Sequence, residues 1–264
     1  MSDLAGWGNY PRIPTEQLVP ARAEAIAPLL AGRSGLVARG QGRAYGDAAL
    51  GMATTLTSSR LNRMRRFDPA SGELTVEAGV TIADILATYV PRGFYALYFR
   101  RGARQALTPQ LVHWDPYFFP LDTIGHWNRI YGPRGFLQHQ CVIPAANARR
   151  VLAEILDRVA RRGSASFLAV LKQLGDSHGL MSFPLRGYTL AMDFPIQDSL
   201  FDFLDELDAI VTAAGGRLYL AKDARQSRAT FAAGYAGLDG LRDIGRRIGA
   251  TDKLVSHLSA RLGI

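Results

Sequence analysis

Val37-Ala38-Arg39-Gly40-Gln41-Gly42-Arg43-Ala44-Tyr45-Gly46-Asp47 is a glycine-punctuated loop with two arginines, set between an apolar run and Ala48-Ala49-Leu50. Glycines at 40, 42 and 46 can take positive φ and bring backbone close to a ligand. The N–H groups of such a loop can then converge on one point, a geometry that suits a phosphate or pyrophosphate. The spacing Gly-x-Gly-x-x-x-Gly is one residue too long for the Rossmann fingerprint, and no Gly-Lys-Ser/Thr follows as in a P-loop. The pattern alone leaves two readings open, an anion-binding loop and a plain glycine-rich connection.

On the upstream side, Trp7 to Pro11 reads as an irregular opening, Thr15 to Leu30 as a short helix with alanines and leucines on one face, and Gly35 to Ala38 as a short buried strand. Downstream, Ala53 to Ser58 has the Thr-rich look of a strand, arginines at 60, 63, 65 and 66 lead to a Phe67-Asp68-Pro69 turn, and Gly72 to Gly79 alternates as a half-buried strand. Thr81 to Tyr89 is a helix N-capped by Thr81, with Asp84 three residues on, and it stops before Pro91. Residues 1–94 therefore predict a small α/β unit compatible with a nucleotide-phosphate cradle.

Residues 95–128 are aromatic and irregular, with Trp114, Tyr117, Phe118, Phe119 and Trp127 around Pro116 and Pro120. Packing between domains is the expected role, and lining a lipid-like groove is the alternative. From Gly135 the pattern sharpens into strand 135–144, helix 145–162, strand 164–172, strand 186–194, helix 199–214 and strand 217–221. The first helix carries Val151, Leu152, Ile155, Leu156 and Val159 on one stripe. The second carries Leu200, Phe203, Leu204, Leu207 and Val211, with Asp198 as its cap and Gly215-Gly216 as its stop. A βαββαβ order predicts a ferredoxin-like split unit, an antiparallel sheet with both helices on one face. Strand alternation then turns Leu137, His139, Cys141 and Ile143 toward the helices and Phe136, Gln138, Gln140 and Val142 toward the open face.

Composition bounds the function. The 264 residues are 48% hydrophobic and 20% charged, ordinary for a soluble globular protein, with no run approaching a membrane span. The opening Met1-Ser2-Asp3-Leu4-Ala5-Gly6 lacks the basic region and apolar run of a signal peptide, and the single Cys141 rules out an internal disulfide; both point to a cytoplasmic protein. A net charge of +8 permits contact with nucleic acid, anionic lipid or phosphorylated substrates. The arginines are scattered rather than clustered, which argues against nucleic acid as the partner.

Only Lys172, Lys222 and Lys253 are lysines among 31 basic residues, so a position that holds lysine invites a reason. A compact ammonium with a shiftable pKa is one, and a solvated strand end is the plain alternative for Lys172 and Lys222. The five histidines, at 113, 126, 139, 178 and 257, show no metal-ligand spacing.

Residues 39–47, then Leu74-Thr75-Val76-Glu77-Ala78-Gly79-Val80, then Val90-Pro91-Arg92-Gly93 resemble the first half of the PCMH-type FAD-binding domain of the vanillyl-alcohol-oxidase superfamily. Within it, the chain is most similar to the FAD-linked oxidoreductases that include the oxidative subunit of decaprenylphosphoryl-ribose 2-epimerase. The segments Trp127 to Gly132, Gly135 to Gln140, Leu190 to Pro195, Gly216 to Asp223 and Leu258 to Gly263 resemble the substrate domain of the same family. The implied fold class is α+β: a partial FAD-binding α/β subdomain over residues 1–94, then a ferredoxin-like substrate (cap) domain over residues 95–264 with a C-terminal helical tail. Phe94 runs directly into a stretch similar to a much later family segment. The resemblance thus implies an internal deletion near residue 94 that removes the second FAD subdomain.

In that family the loop cradles the FAD pyrophosphate, which implies cofactor contacts from Arg39, Gly40, Gln41, Gly42, Arg43, Ala44, Tyr45, Gly46 and Asp47. The resemblance further implies substrate contacts from Gln140, Lys172, Tyr219 and Lys222, with Lys222 as the active-site lysine. Ala191 stands at the family's pocket-cysteine position, so that reactivity is not expected. The implied activity is hydride transfer from a CH–OH group of a sugar, or of a polyprenyl-phosphate sugar, to flavin. The expected protein partner is a reductase subunit, and association with a membrane surface is compatible with such a substrate. A non-catalytic remnant or binding module of the same family is the competing reading.

Overall fold

The computed structural model describes residues 2–68, 71–89, 127–163, 166 and 168–264. The aromatic stretch 95–126 and the expected junction near residue 94 lie outside them. Two four-stranded sheets and a two-stranded ribbon carry the described chain, a mixed α+β architecture.

In the first sheet, β1 (Ser2–Ala5) pairs antiparallel with β2 (Arg12–Leu18). β2 runs parallel to β4 (Thr54–Thr57), which runs parallel to β3 (Leu36–Arg39). β-Branched threonines fill its buried positions, and the Thr15 and Thr55 hydroxyls meet at 3.2 Å across the β2–β4 pair. The expected helix over Thr15 to Leu30 is therefore corrected. Residues 15–18 belong to β2, and helix is confined to a 3-10 turn at Ala23–Ala25 and to α1 (Ile26–Leu30), which buries no residue. The alanine-rich sequence offers no apolar stripe to hold a longer helix, whereas β2 gains ladder bonds on both edges. β5 (Met64–Phe67) and β6 (Leu74–Val76) form the ribbon. α2 (Ile82–Tyr89) follows with the expected reciprocal cap: Thr81 Oγ1 accepts from Asp84 N at 3.2 Å, and Asp84 Oδ2 accepts from Thr81 N at 2.8 Å.

The second sheet is built from β7 (Phe136–Pro144), β8 (Ala169–Leu174), β9 (Gly187–Pro195) and β10 (Arg217–Leu218). α3 (Ala145–Arg162) follows β7, and α4 (Leu200–Ala213) follows β9. The order β10-β7-β9-β8 with every neighbour antiparallel is that of a split βαβ unit. Leu137, Cys141 and Ile143 meet Val151 and Ile155 of α3 and Leu204, Leu207 and Val211 of α4 in one core. Ile155 and Leu207 have no exposed surface, and truncating either to alanine costs about 2–5 kcal/mol. α3 ends where Gly163 takes φ 70°. The expected Asp198 cap is corrected, since the residue before α4 is Ser199 and Asp198 instead meets Arg134 at 3.0 Å.

α5 (Arg228–Gly234), α6 (Leu238–Arg247) and α7 (His257–Leu262) complete the described chain. Before α7, the backbone lies along β3. Leu36 N donates to Lys253 O at 2.9 Å, and Val255 N donates to Leu36 O at 2.8 Å. The two sheets also meet through Trp7 and Tyr45, which pack on Trp127, Tyr131 and Phe136.

Candidate functional site

β10 lasts only two residues because the chain must turn. Tyr219 N still donates to Gln140 O at 2.9 Å, and the Lys222 and Asp223 N–H groups both fold back onto Tyr219 O at 3.0 Å. That turn meets the glycine loop: Tyr45 N donates to Ala221 O at 2.9 Å, and Lys222 Nζ sits 3.4 Å from the Tyr45 ring centroid. The approach is close enough that a Cβ on Gly46 would collide with the Asp223 carbonyl. Burial pushes the Lys222 ammonium down to about 8; the Asp193 charge opposes the shift and Lys172 adds to it.

The sheet face turned away from the helices carries the remaining polar groups. Gln138 on β7 pairs directly with Asp193 on β9 and donates to it at 2.6 Å, and the Tyr131 hydroxyl donates to the other oxygen at 2.9 Å. Asp193 N in turn donates to Ser166 Oγ at 2.8 Å. Burial raises the Asp193 pKa, although Gln138, Tyr131 and the Lys222 charge hold it down. A buried carboxyl shifted up and a half-buried ammonium shifted down mark this region as a candidate site. Next along β7, Gln140 Nε2 donates to Thr189 Oγ1 at 3.2 Å, and Lys172 pairs with Thr189 from the exposed edge strand β8. A small hollow where β10 ends beside β7 is lined by Gln138, His139, Gln140, Tyr219, Asp223 and Arg225.

The glycine loop presents a second set of groups. Arg39 Nη2 donates to Ala5 O at 2.8 Å, while its Nη1 is buried with no partner among the described residues. The guanidinium lies against Gly42, which has φ 67° and leaves no room for a Cβ there. The Gln41, Gly42 and Arg43 N–H groups meet no acceptor among the described residues, and the space beside Gly40 is open. An orphaned guanidinium nitrogen beside free N–H groups fits an anionic group such as a pyrophosphate. Arg43 instead stacks over Trp7, at 4.1 Å from the ring centroid.

Tyr45, Gln140, Tyr219 and Lys222 thus come together where the loop meets the sheet, with Lys172 at the rim. Asp47 is held by a bidentate pair with Arg261 at 2.9 and 3.1 Å. Ala191 lies on the same face between Gln140 and Val170. Cys141 lies behind the sheet, its thiol pushed up to about 12 by burial. His139 also turns to the helices, 3.1 Å from Asp208. No cluster of metal-ligating side chains occurs among the described residues. Sequence reasoning missed Asp193 and Tyr131; the one available signal was a lone carboxylate in the otherwise apolar strand Leu190 to Phe194.

No known family model matches the chain. It is 37% identical over 176 residues to the decaprenylphosphoryl-beta-D-ribose oxidase of Mycolicibacterium smegmatis, a match covering 66% of this chain and 37% of that protein. It is 36% identical over 132 residues to an uncharacterized protein from the mprA 5' region of Streptomyces coelicolor, covering 49% of this chain and 36% of the relative. The chain matches little more than a third of each relative's length. The family relationship read from the glycine loop and the sheet segments holds: the chain is related to the FAD-linked oxidoreductases.

Proposed function

We propose that this chain, as a relative of the ribose oxidase, binds FAD through the glycine loop and oxidises a CH–OH group of a sugar, free or carried on polyprenyl phosphate. The observation that carries the reading is the placement of Lys222. Its ammonium rests on Tyr45 of the loop, in the field of the buried Asp193 on the sheet, where a cofactor gripped by one and a substrate lying on the other would meet.

FAD, when bound, would supply the acceptor for the hydride that leaves the substrate carbon, and the hydroxyl proton would pass to water. Arg39 Nη1 and the free N–H groups of residues 41–43 would hold its pyrophosphate, with Gly40 and Gly42 letting the anion approach the backbone. Lys222, half-buried beside Tyr45, would place a positive charge next to the bound group and stabilise negative charge there. Gln140 and Tyr219 orient the sugar hydroxyls, and Lys172 at the rim attracts a phosphate on the substrate. Asp193 keeps Lys222 protonated by placing a carboxylate behind it. A reductase partner that removes the product keto sugar fits this reading. Among the described residues no helix is long and apolar enough to cross a membrane, so a lipid-linked sugar would be met at a surface.

The full chain is purified and examined for yellow colour. Bound or reconstituted FAD that bleaches when a sugar or polyprenyl-phosphate sugar is added supports the enzyme. Colourless protein that takes up no FAD overturns it in favour of a non-catalytic binding module.

A further inference from the structure

We propose that Arg261 is a positioning residue: its guanidinium clasps the end of the glycine loop to the lysine turn and so sets where Lys222 stands. The catalytic consequence rests on the flavin reading above, whereas the clasp rests on geometry alone.

Arg261 lies in the last turn of α7, a helix opened by a Ser256/Ser259 capping box. Its Nε and Nη2 donate to the two oxygens of Asp47 at 3.1 and 2.9 Å; Nη2 also reaches Asp223 Oδ2 at 3.0 Å, and Nη1 donates to Gln226 O at 2.7 Å. Asp47 closes the glycine loop, and Asp223 follows Lys222 directly. Both carboxylates are buried, at 4% and 6% exposure. The other donors to Asp223 are neutral, namely Arg225 N, Gln226 N and Gln226 Nε2. The Arg225 guanidinium is engaged by Asp205 and Asp208. Among the described residues, Arg261 is the one cation shared by Asp47 and Asp223.

Without it, two buried carboxylates would face each other at the closest approach between the loop and the turn. Bringing one charge out of compensation at a buried site is the costly way to break such a pair. The joint under that repulsion is the one that holds Tyr45 N on Ala221 O and the ammonium on the Tyr45 ring. Lys222 is faced by Asp193 from β9, Lys172 from β8 and Tyr45 from the loop, and His257 also faces Asp47. Displacing the turn exposes the ammonium, and uncompensated carboxylates favour its charge. Both effects raise its pKa.

The test is amine acylation of the full chain across pH 6–11, read lysine by lysine by peptide mass spectrometry, with exposed Lys253 as internal reference. Wild-type Lys222 is expected to titrate at about 8. Arg261→Met is expected to move that midpoint up toward the ~10.4 of a free lysine and to weaken FAD binding about tenfold. Arg261→Gln, which keeps hydrogen-bond donors and removes the charge, is expected to do the same and serves if Arg261→Met does not fold. Arg242→Met is the control, because Arg242 also anchors the end of α7, through Gly263 O at 2.7 and 3.0 Å, without touching either carboxylate. An unmoved Lys222 midpoint in the Arg261 variants, or an equal shift in Arg242→Met, overturns the clasp. A shifted midpoint in protein that takes up no FAD leaves the clasp standing and removes the flavin reading; FAD binding with an unmoved midpoint does the reverse.

Discussion

Gln138 donates to the Asp193 carboxylate at 2.6 Å between directly paired positions of β7 and β9. The pair fixes a carboxylate with no exposed surface on the face that also holds Lys222. Asp193 favours the charged ammonium, so removing its charge while keeping its shape should let burial dominate. Asp193→Asn is expected to lower the Lys222 acylation midpoint below about 8. A midpoint that stays in place would show that Asp193 is not the counter-charge.

Lys222→Met is expected to leave FAD binding largely intact and to slow flavin reduction by about 10²-fold, the scale of losing one preorganised charge donor in a dry site. Stopped-flow bleaching of the flavin absorption reads this directly. On the proposed role the ammonium is the active form, so wild-type reduction should fall as pH rises through about 8, and Lys222→Arg should abolish that fall. An unchanged reduction rate in Lys222→Met removes the role.

The same shift has a consequence for stability. A lysine whose folded pKa lies near about 8 and whose unfolded value is 10.5 binds fewer protons folded than unfolded between those limits, so stability rises with pH across that window. Below it the buried ammonium is destabilising. Lys222→Met is therefore expected to melt higher than wild type at pH 7, by ~1–2 kcal/mol after allowing for partial exposure, with the gap closing toward pH 10.5. Thermal melts at pH 7 and at pH 9.5 or so test the sign. A lower melting temperature at pH 7 would mean that the cation–π contact outweighs desolvation.

Arg39 offers a cleaner separation of binding from turnover. Its orphaned Nη1 has nothing to lose in the protein alone beyond the Ala5 contact made by Nη2. Arg39→Met should weaken FAD binding tenfold or more, since a charge-assisted hydrogen bond contributes ~1.5–3 kcal/mol, with reduction at saturating cofactor little changed. Fluorescence titration of FAD settles it, and an unaltered affinity would move the pyrophosphate elsewhere.

How far these features can be read from sequence depends on whether their causes are local. α3 and α4 carry apolar stripes and stop at Gly163 and near Gly215, so their own residues fix where they end and the bounds match almost to the residue, although Leu156, expected on the stripe of α3, is 47% exposed. The alternation of Leu137, Cys141 and Ile143 against Gln138 and Gln140 likewise gave the two faces of β7. Thr15 to Leu18 misled because alanine-rich sequence beyond it mimics a helix, while the strand is decided by β1 and β4, far away in the chain. Asp193 acquires meaning only through register with Gln138, 55 residues away, and Tyr131 only through packing, so neither has a local signature. The open face proved less wet than its glutamines suggest, because Trp7 and Tyr45 arrive from the first sheet to roof one end of it.

Residues 253–257 hydrogen-bond Leu36 at the start of β3 and the Leu50 carbonyl, yet every strand of both sheets precedes them in the chain. Synthesis on the ribosome therefore delivers the partner of Leu36 last, some two hundred residues after β3 itself is made. Premature termination before Lys253 would leave Leu36 without these bonds and open the start of β3 to water, next to the loop that follows it.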